Sequence, residues 1–141
     1  MIGRWTVILV ILFFMAAVSY AGNGMEPPGH ITKILLDESW NGKKIELKVG
    51  DEIRIELQGI GATGYAWCFD KLDRDFFQLI SEERKRGKKE GGEVVGSPIQ
   101  YIWVIKAKKI GSSIIEMSYY RIWEGKDKAI RQFEVEVDII P

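Results

Sequence analysis

Residues 44–57 read K-I-E-L-K-V-G-D-E-I-R-I-E-L, and this stretch decides the class of fold. Apolar and charged side chains alternate on both sides of Gly50-Asp51 with a period of two. That period is typical of β-strands with one face towards a core and one towards water, whereas an amphipathic helix repeats every 3.6 residues. The glycine–aspartate pair favours a tight turn. The stretch therefore predicts two strands joined as a β-hairpin.

The same alternation recurs along the chain. Residues 99–107 and 113–121 are rich in β-branched and aromatic side chains, and residues 133–139 are apolar at every odd position. Asn41-Gly42, after the apolar run 31–36, is a further hairpin signal, and residues 76–80 suit a strand better than a helix. We expect an all-β, two-sheet β-sandwich of seven or eight antiparallel strands. A small closed barrel is the competing arrangement.

The first 21 residues have the layout of a secretory signal peptide. Arg4 supplies a positive charge, residues 5–18 are apolar, and Ser19-Tyr20-Ala21 places small residues before a cleavage point. The apolar run of 14 residues is shorter than the roughly 20 that cross a bilayer as a helix, although an uncleaved anchor stays open as an alternative. We predict a secreted or periplasmic protein with residues 1–21 removed, a flexible lead-in over 22–30 and one domain over 31–141.

Charge and composition argue against several classes of function. The chain has 20 basic and 20 acidic side chains, so its net charge gives no reason to bind nucleic acid or, in the mature form, a membrane. The single cysteine, Cys68, cannot form an internal disulfide, and we expect an inert core residue there. With His30 as the single histidine, a zinc cluster or a catalytic pair is improbable. We expect a monomer without enzyme activity, metal or cofactor.

Residues 59–67, G-I-G-A-T-G-Y-A-W, contain a loop of small residues followed by two aromatic residues. The letters fit the dinucleotide fingerprint G-x-G-x-x-G, but that fingerprint requires a helix at this point, and strand-forming residues follow instead. Without a helix N-terminus the loop lacks anion-binding geometry. We expect Tyr65 and Trp67 to pack into the sandwich and to fasten a narrow loop.

Two further segments carry residue types that are common in binding surfaces. Residues 84–92 are basic and glycine-rich, and with residues 93–98 they form a long connection, for which a solvated loop is the ordinary interpretation. Residues 119–125, Y-Y-R-I-W-E-G, end a strand in an arginine and a tryptophan, which dominate binding hot spots. Alternatively, Trp123 could cap the core.

Together these loops resemble those of the chagasin-like inhibitors of papain-family cysteine proteases. The resemblance rests on G-A-T-G-Y-A-W, V-V-G-S-P-I and R-I-W, with K-V-G-D-E-I-R-I-E-L before the first, and covers about residues 43–139. It implies an immunoglobulin-like sandwich that presents the loops side by side as a wedge. The chain departs from the family's motifs at Gly61 and Ala62 in place of Pro and Thr, at Pro98 and Ile99 in place of glycines, and at Ile122 in place of Pro.

The resemblance implies a reversible, tight-binding inhibitor whose loops plug the cleft of a papain-family protease without chemistry of their own. The residues assigned to protease contact are Gly61, Ala62, Thr63, Gly64, Tyr65, Val95, Gly96, Ser97, Arg121 and Trp123. The departures from the motifs keep one alternative open, an exported immunoglobulin-like binding or adhesion module without inhibitory activity.

Overall fold

The computed structural model describes residues 31–87 and 96–141. These residues form eight β-strands and two short 3-10 helices: β1 (Lys33–Leu36), the first 3-10 helix (Glu38–Trp40), β2 (Lys43–Lys48), β3 (Glu52–Ile60), β4 (Ala66–Lys71), β5 (Phe77–Arg86), β6 (Pro98–Ala107), β7 (Gly111–Tyr120), the second 3-10 helix (Lys126–Lys128) and β8 (Arg131–Ile140). The predicted signal peptide and lead-in, with His30, lie outside the described residues. Within 31–87 and 96–141 no helix is long and apolar enough to cross a membrane.

The strands form two four-stranded sheets with a shared core. The first sheet has the order β1-β3-β6-β5, and the second has the order β2-β8-β7-β4. This arrangement confirms the immunoglobulin-like β-sandwich and excludes a closed barrel for the described strands. The strand pairing is antiparallel except at two places, where β1 runs parallel to β3 and β2 runs parallel to β8.

The hairpin predicted at Gly50-Asp51 is wrong, because the chain changes sheet there. β2 lies in the second sheet and β3 in the first, so the turn is a corner between two layers. The buried carboxylate of Asp51 accepts hydrogen bonds from the backbone N–H groups of Thr32 and Lys48, each at 2.9 Å. Charge-assisted bonds of this kind are strong, and here they hold the start of β1 beside the end of β2.

The hairpin predicted at Asn41-Gly42 is wrong for the same reason. β1 and β2 lie in different sheets, and the first 3-10 helix joins them. The side-chain oxygen of Asn41 accepts a hydrogen bond from the N–H of Glu134, and the N–H of Gly42 donates to the carbonyl of Glu134, both at 2.8 Å. The two residues therefore guide the chain onto β8 rather than back onto β1.

The core consists of the apolar positions that the alternation predicts. Ile53, Ile55 and Leu57 of β3 are fully buried, and so are the alternate apolar residues of β8 between Phe133 and Ile139. Aromatic rings complete the cluster at the end where β3 finishes: Trp67, Tyr101, Trp103 and Tyr119. That end of the sandwich is therefore built from large rigid groups, which suits it to hold loops in place.

Cys68 is not a core residue, contrary to the prediction. Trp67 takes the inward position on β4, and because successive side chains alternate along a strand, Cys68 lies on the outer face. The cysteine is half-buried there. Its thiol lies next to the hydroxyl of Tyr120. The electrostatic interaction with Cys68, followed by burial, raises the pKa of the Tyr120 hydroxyl.

The strand expected around residues 76–80 is confirmed, and it is longer than predicted. β5 continues to Arg86, so the first residues of the basic segment 84–92 form an edge strand rather than a solvated loop. Residues 88–95 lie outside the described part of the chain.

Candidate functional site

Three loops meet at one end of the sandwich. The first loop, residues 61–65, joins β3 to β4; the second precedes β6 and is described at residues 96 and 97; the third, residues 121–125, follows β7. The N–H of Gly61 donates to the carbonyl of Ser97 at 3.2 Å, and Nε of Arg121 donates to the carbonyl of Thr63 at 2.9 Å. The first loop is therefore bonded on both sides and lies between the other two.

The first loop has a tight and internally bonded backbone. Ala62 has a φ of 62° and Gly64 a φ of 80°, both in the left-handed region. A non-glycine residue in this region is uncommon and is held there only when its surroundings impose it. The hydroxyl of Thr63 donates to the carbonyl of Ile60 at 2.9 Å and closes the loop on itself. Ala62 and Gly64 are exposed, so the tip presents backbone with little side-chain bulk.

The two aromatic residues after the loop fasten it, as predicted. Trp67 is buried, and its Nε1 donates to the carbonyl of Gln58 at 3.0 Å, which joins β4 to the end of β3. Tyr65 is half-buried, and its ring stacks on that of Tyr119 with the centroids 5.5 Å apart. The guanidinium of Arg121 lies over the Tyr65 ring, 4.5 Å from its centroid. Tyr65 thus contacts both a core ring and a cation from the third loop.

Tyr119 is an anchor that sequence reasoning missed. Its hydroxyl accepts a hydrogen bond from the N–H of Ile60 at 2.8 Å, and its ring also lies against Trp67 at 5.2 Å. Tyr101 approaches from the other sheet, and its hydroxyl donates to the carbonyl of Tyr65 at 3.4 Å. Burial raises the pKa of Tyr101. The tyrosine-rich strand ends were visible in the sequence, but their register against the first loop was not.

Arg131 and Glu38 also support this end of the sandwich, and no sequence pattern pointed to either residue. The guanidinium of Arg131 lies 5.2 Å from the Trp67 ring and donates to the carbonyl of Gln58 at 2.7 Å. Glu38 accepts from the N–H of Gln58 at 2.6 Å and from Arg131 at 3.4 Å. These contacts fix the position from which the first loop departs.

Gly59 leaves room for both anchoring tyrosines. A Cβ at this position would lie 2.7 Å from the ring of Tyr101 and 2.9 Å from the hydroxyl of Tyr119. We expect Gly59→Ala to lower the free energy of unfolding by about 1–3 kcal/mol, because overpacking a tight site forces its neighbours apart. Urea denaturation measures the change.

Gly87→Ala is the matched control, because its Cβ would meet nothing closer than 3.7 Å and its φ is not left-handed. Equal urea midpoints for Gly59→Ala and Gly87→Ala would show that Tyr101 and Tyr119 can move aside without loss of stability.

The third loop presents apolar side chains to solvent. Trp123 is 72% exposed and Ile122 is 69% exposed, so Trp123 does not cap the core. The indole lies on the backbone of the first loop, since a Cβ on Gly64 would be 2.1 Å from its Cη2. Arg121 holds the loop in shape, because its Nη1 bonds Glu124 at 3.0 Å while its Nε bonds the first loop.

The structure thus brings the predicted contact residues together at one end, apart from Val95, which lies outside the described residues. Tyr65 and Arg121 act within the protein, whereas Ala62, Gly64, Gly96 and Trp123 are exposed. In the described ranges, no group of three or more His, Cys, Asp or Glu side chains could hold a metal ion. The arrangement is suited to binding a partner through the shape of the loops and their exposed side chains.

An immunoglobulin-like sandwich with three neighbouring loops at one end, the first bonded to the other two, defines a class of binding protein in which strands form the scaffold and loops form the contact surface. Within that class, the chain belongs to the chagasin family of peptidase inhibitors, family I42, whose sequence model matches residues 46–137. Members of this family are inhibitors and not enzymes.

Relatives and solved structures agree with this family. Amoebiasin-2 of Entamoeba histolytica is 29% identical over 105 residues, which cover 74% of this chain and 84% of that protein. The crystal structure of EhICP2, a cysteine protease inhibitor of Entamoeba histolytica, matches with a TM-score of 0.71 and 28% identity, over 79% of this chain and 98% of the other. PbICP-C in its complex with falcipain-2 matches with a TM-score of 0.51 and 25% identity, over 79% of this chain and 95% of the other.

Proposed function

We propose that this protein is an exported, reversible, tight-binding inhibitor of papain-family cysteine proteases, and that its three loops enter the active-site cleft. Family membership supports inhibition, the falcipain-2 complex of PbICP-C supports a protease partner, and the signal-like N-terminal sequence supports export. One observation carries the loop assignment. A narrow first loop, bonded on both sides, presents exposed small residues beside an exposed tryptophan.

The narrow tip explains how the loop reaches a buried nucleophile. Ala62 and Gly64 add almost no width to the exposed backbone, so the chain approaches the floor of a cleft that would exclude larger side chains. The bonds from Gly61 and Thr63 already hold the tip in one shape. A preorganised loop loses little conformational freedom on binding, and this lowers the cost of association.

Gly61 fits this chain better than the proline of related loops would. Its N–H donates to the carbonyl of Ser97, and proline has no N–H to donate. A Cβ at Gly61 would also lie 3.0 Å from that carbonyl oxygen. The stiffness that proline gives elsewhere is replaced here by a hydrogen bond between the first and second loops.

Inhibition on this view is steric and needs no reaction by the inhibitor. The first loop occupies the cleft, Trp123 supplies apolar contact on one side, and the second loop covers the other. Arg121 acts as a positioning residue, because its guanidinium is engaged with Thr63, Tyr65 and Glu124. Protease–inhibitor interfaces of this kind bury roughly 1,600 Å² in total.

The test is the residual activity of active-site-titrated papain and cathepsin L in the presence of the purified protein. We expect stoichiometric loss of activity, recovery of activity on dilution, and an inhibitor chain that stays intact on a denaturing gel. Full protease activity at micromolar inhibitor would contradict the proposed function and would leave a binding or adhesion module as the explanation.

A further inference from the structure

Strand β5 ends beside the second loop in three consecutive cations, Arg84, Lys85 and Arg86, which we call the basic flank. Lys85 pairs with Gln100 and Arg86 with Ile99 across the ladder to β6, and the N–H of Gly87 donates to the carbonyl of Pro98 at 3.1 Å. The flank therefore lies within a few residues of Ser97, which is bonded to the first loop. All three side chains are exposed.

The side chains of these cations alternate between the two faces of β5, and a β-bulge decides which of them lie on the core face. Before the bulge between Leu79 and Ser81, alternate side chains such as Phe77 point into the core. Beyond it, Arg84 is in register with Tyr101 and lies on the core side, with its guanidinium 5.2 Å from the tyrosine ring. Lys85 consequently points to the outer face. Charged residues on both faces also protect an edge strand from pairing with other chains.

Arg84 and Lys85 each have an acidic neighbour on the side away from the loops. Glu82 approaches Arg84 at 4.0 Å and Glu83 approaches Lys85 at 3.3 Å, with every partner at least 44% exposed. Exposed pairs of this kind are weak and screened by salt. The facing residues of β6 at positions 99–101 carry no acid. Although the whole chain has no net charge, three consecutive basic side chains lie at the end of β5 nearest to the second loop.

The two sides of the first loop therefore differ in chemistry. The third loop offers Trp123 and Ile122, which are apolar and exposed, and its Arg121 is paired with Glu124. On the opposite side, the second loop leads to the basic flank. Exposed charges around an interface act mainly on the rate of association, because they attract or repel the partner before contact.

We propose that the basic flank faces an acidic rim of the target protease, on the side of the cleft opposite to Trp123, and accelerates association with proteases that carry such a rim. This inference rests on the proposed function. It adds a selection rule: among papain-family proteases, those with acidic side chains along that rim are captured fastest.

The experiment measures association and dissociation rates by stopped flow for two papain-family proteases, one with an acidic and one with a basic cleft rim. The test variant is Lys85→Glu/Arg86→Glu. The control is Lys48→Glu/Lys109→Glu, which changes the charge equally at the opposite end of the sandwich. With the acidic-rim protease at about 20 mM salt, we expect the test variant to associate about tenfold more slowly, and the difference to shrink at about 0.5 M salt as the Debye length falls.

The sign of the effect separates steering from damage to the loops. With the basic-rim protease the test variant should associate faster than the wild type, whereas damaged loops would slow both reactions and raise both dissociation rates. Equal rates for the test and control variants, with a wild-type protein that inhibits, would overturn the basic flank alone. A wild-type protein that inhibits neither protease would overturn the proposed function and the flank with it.

Discussion

We expect replacing Gly64 with alanine to weaken protease inhibition by at least about a hundredfold, which corresponds to about 2.8 kcal/mol of binding free energy. Two independent effects act at this position. The φ of 80° is unfavourable for any residue with a Cβ, and the new methyl group would lie 2.1 Å from Cη2 of Trp123. The indole ring must move away, so the variant loses the contact between Trp123 and the first loop. The added methyl group also makes the tip of that loop wider.

We expect the free energy of unfolding of Gly64→Ala to fall by only about 1–2 kcal/mol, because Gly64 and Trp123 are both exposed and the core is untouched. The measurement is a pair of inhibition constants together with urea denaturation of both proteins. Gly50→Ala serves as the control, because Gly50 has a φ of 97° and its Cβ would meet nothing within 4 Å. An inhibition constant for Gly64→Ala equal to that of the control would contradict the assigned position of the first loop.

The strands could be predicted because their signal is local. The alternation at Ile53, Ile55 and Leu57 records which face each residue buries, and this holds whatever strand lies alongside. The corners could not be predicted in the same way. Gly50-Asp51 has the chemistry of a tight turn, but whether a tight turn returns within one sheet or crosses to the next depends on partners elsewhere, such as the parallel pairing of β2 with β8.

The candidate site shows the same division between local and distant signals. Tyr65 and Trp67 adjoin their loop in sequence, so an anchoring role could be inferred from position alone. The hydroxyl of Tyr119 accepts a hydrogen bond from the N–H of Ile60, which lies 59 residues earlier in the chain. Arg131 donates to the carbonyl of Gln58, which lies 73 residues earlier. Such contacts depend on the register of strands in both sheets, which a single sequence does not specify.

Cys68 was assigned to the wrong face of its strand. The run 65–69 is apolar throughout, so composition alone predicts burial on both faces of the strand. In the sandwich only one face of β4 meets the core, and Trp67 occupies it. A run in which every residue is apolar shows no alternation, so the sequence does not indicate which residue faces the core. Packing against Tyr119 and its neighbours decides that Trp67 does.

Removing the Trp123 side chain should abolish much of the binding energy while leaving folding almost unchanged. Trp123 is 72% exposed in the free protein, so Trp123→Ala removes little buried area and should shift the free energy of unfolding by less than about 0.5 kcal/mol. Tryptophans that become fully covered in an interface are hot spots worth at least about 2 kcal/mol, so we expect a loss of affinity of about thirtyfold or more. Ile110→Ala, which removes a 55% exposed apolar side chain away from the loops, should leave affinity unchanged.

The double variant Gly64→Ala/Trp123→Ala decides how the two residues work together. If Gly64→Ala acts mainly by displacing the indole, then removing the indole should relieve the clash, and the double variant should bind about as well as Trp123→Ala alone. The inhibition constants of the wild type, both single variants and the double variant form the cycle that measures this coupling. Additive losses would show instead that Gly64 contributes through the narrow tip of the first loop, and that Trp123 binds the protease independently of its contact with that loop.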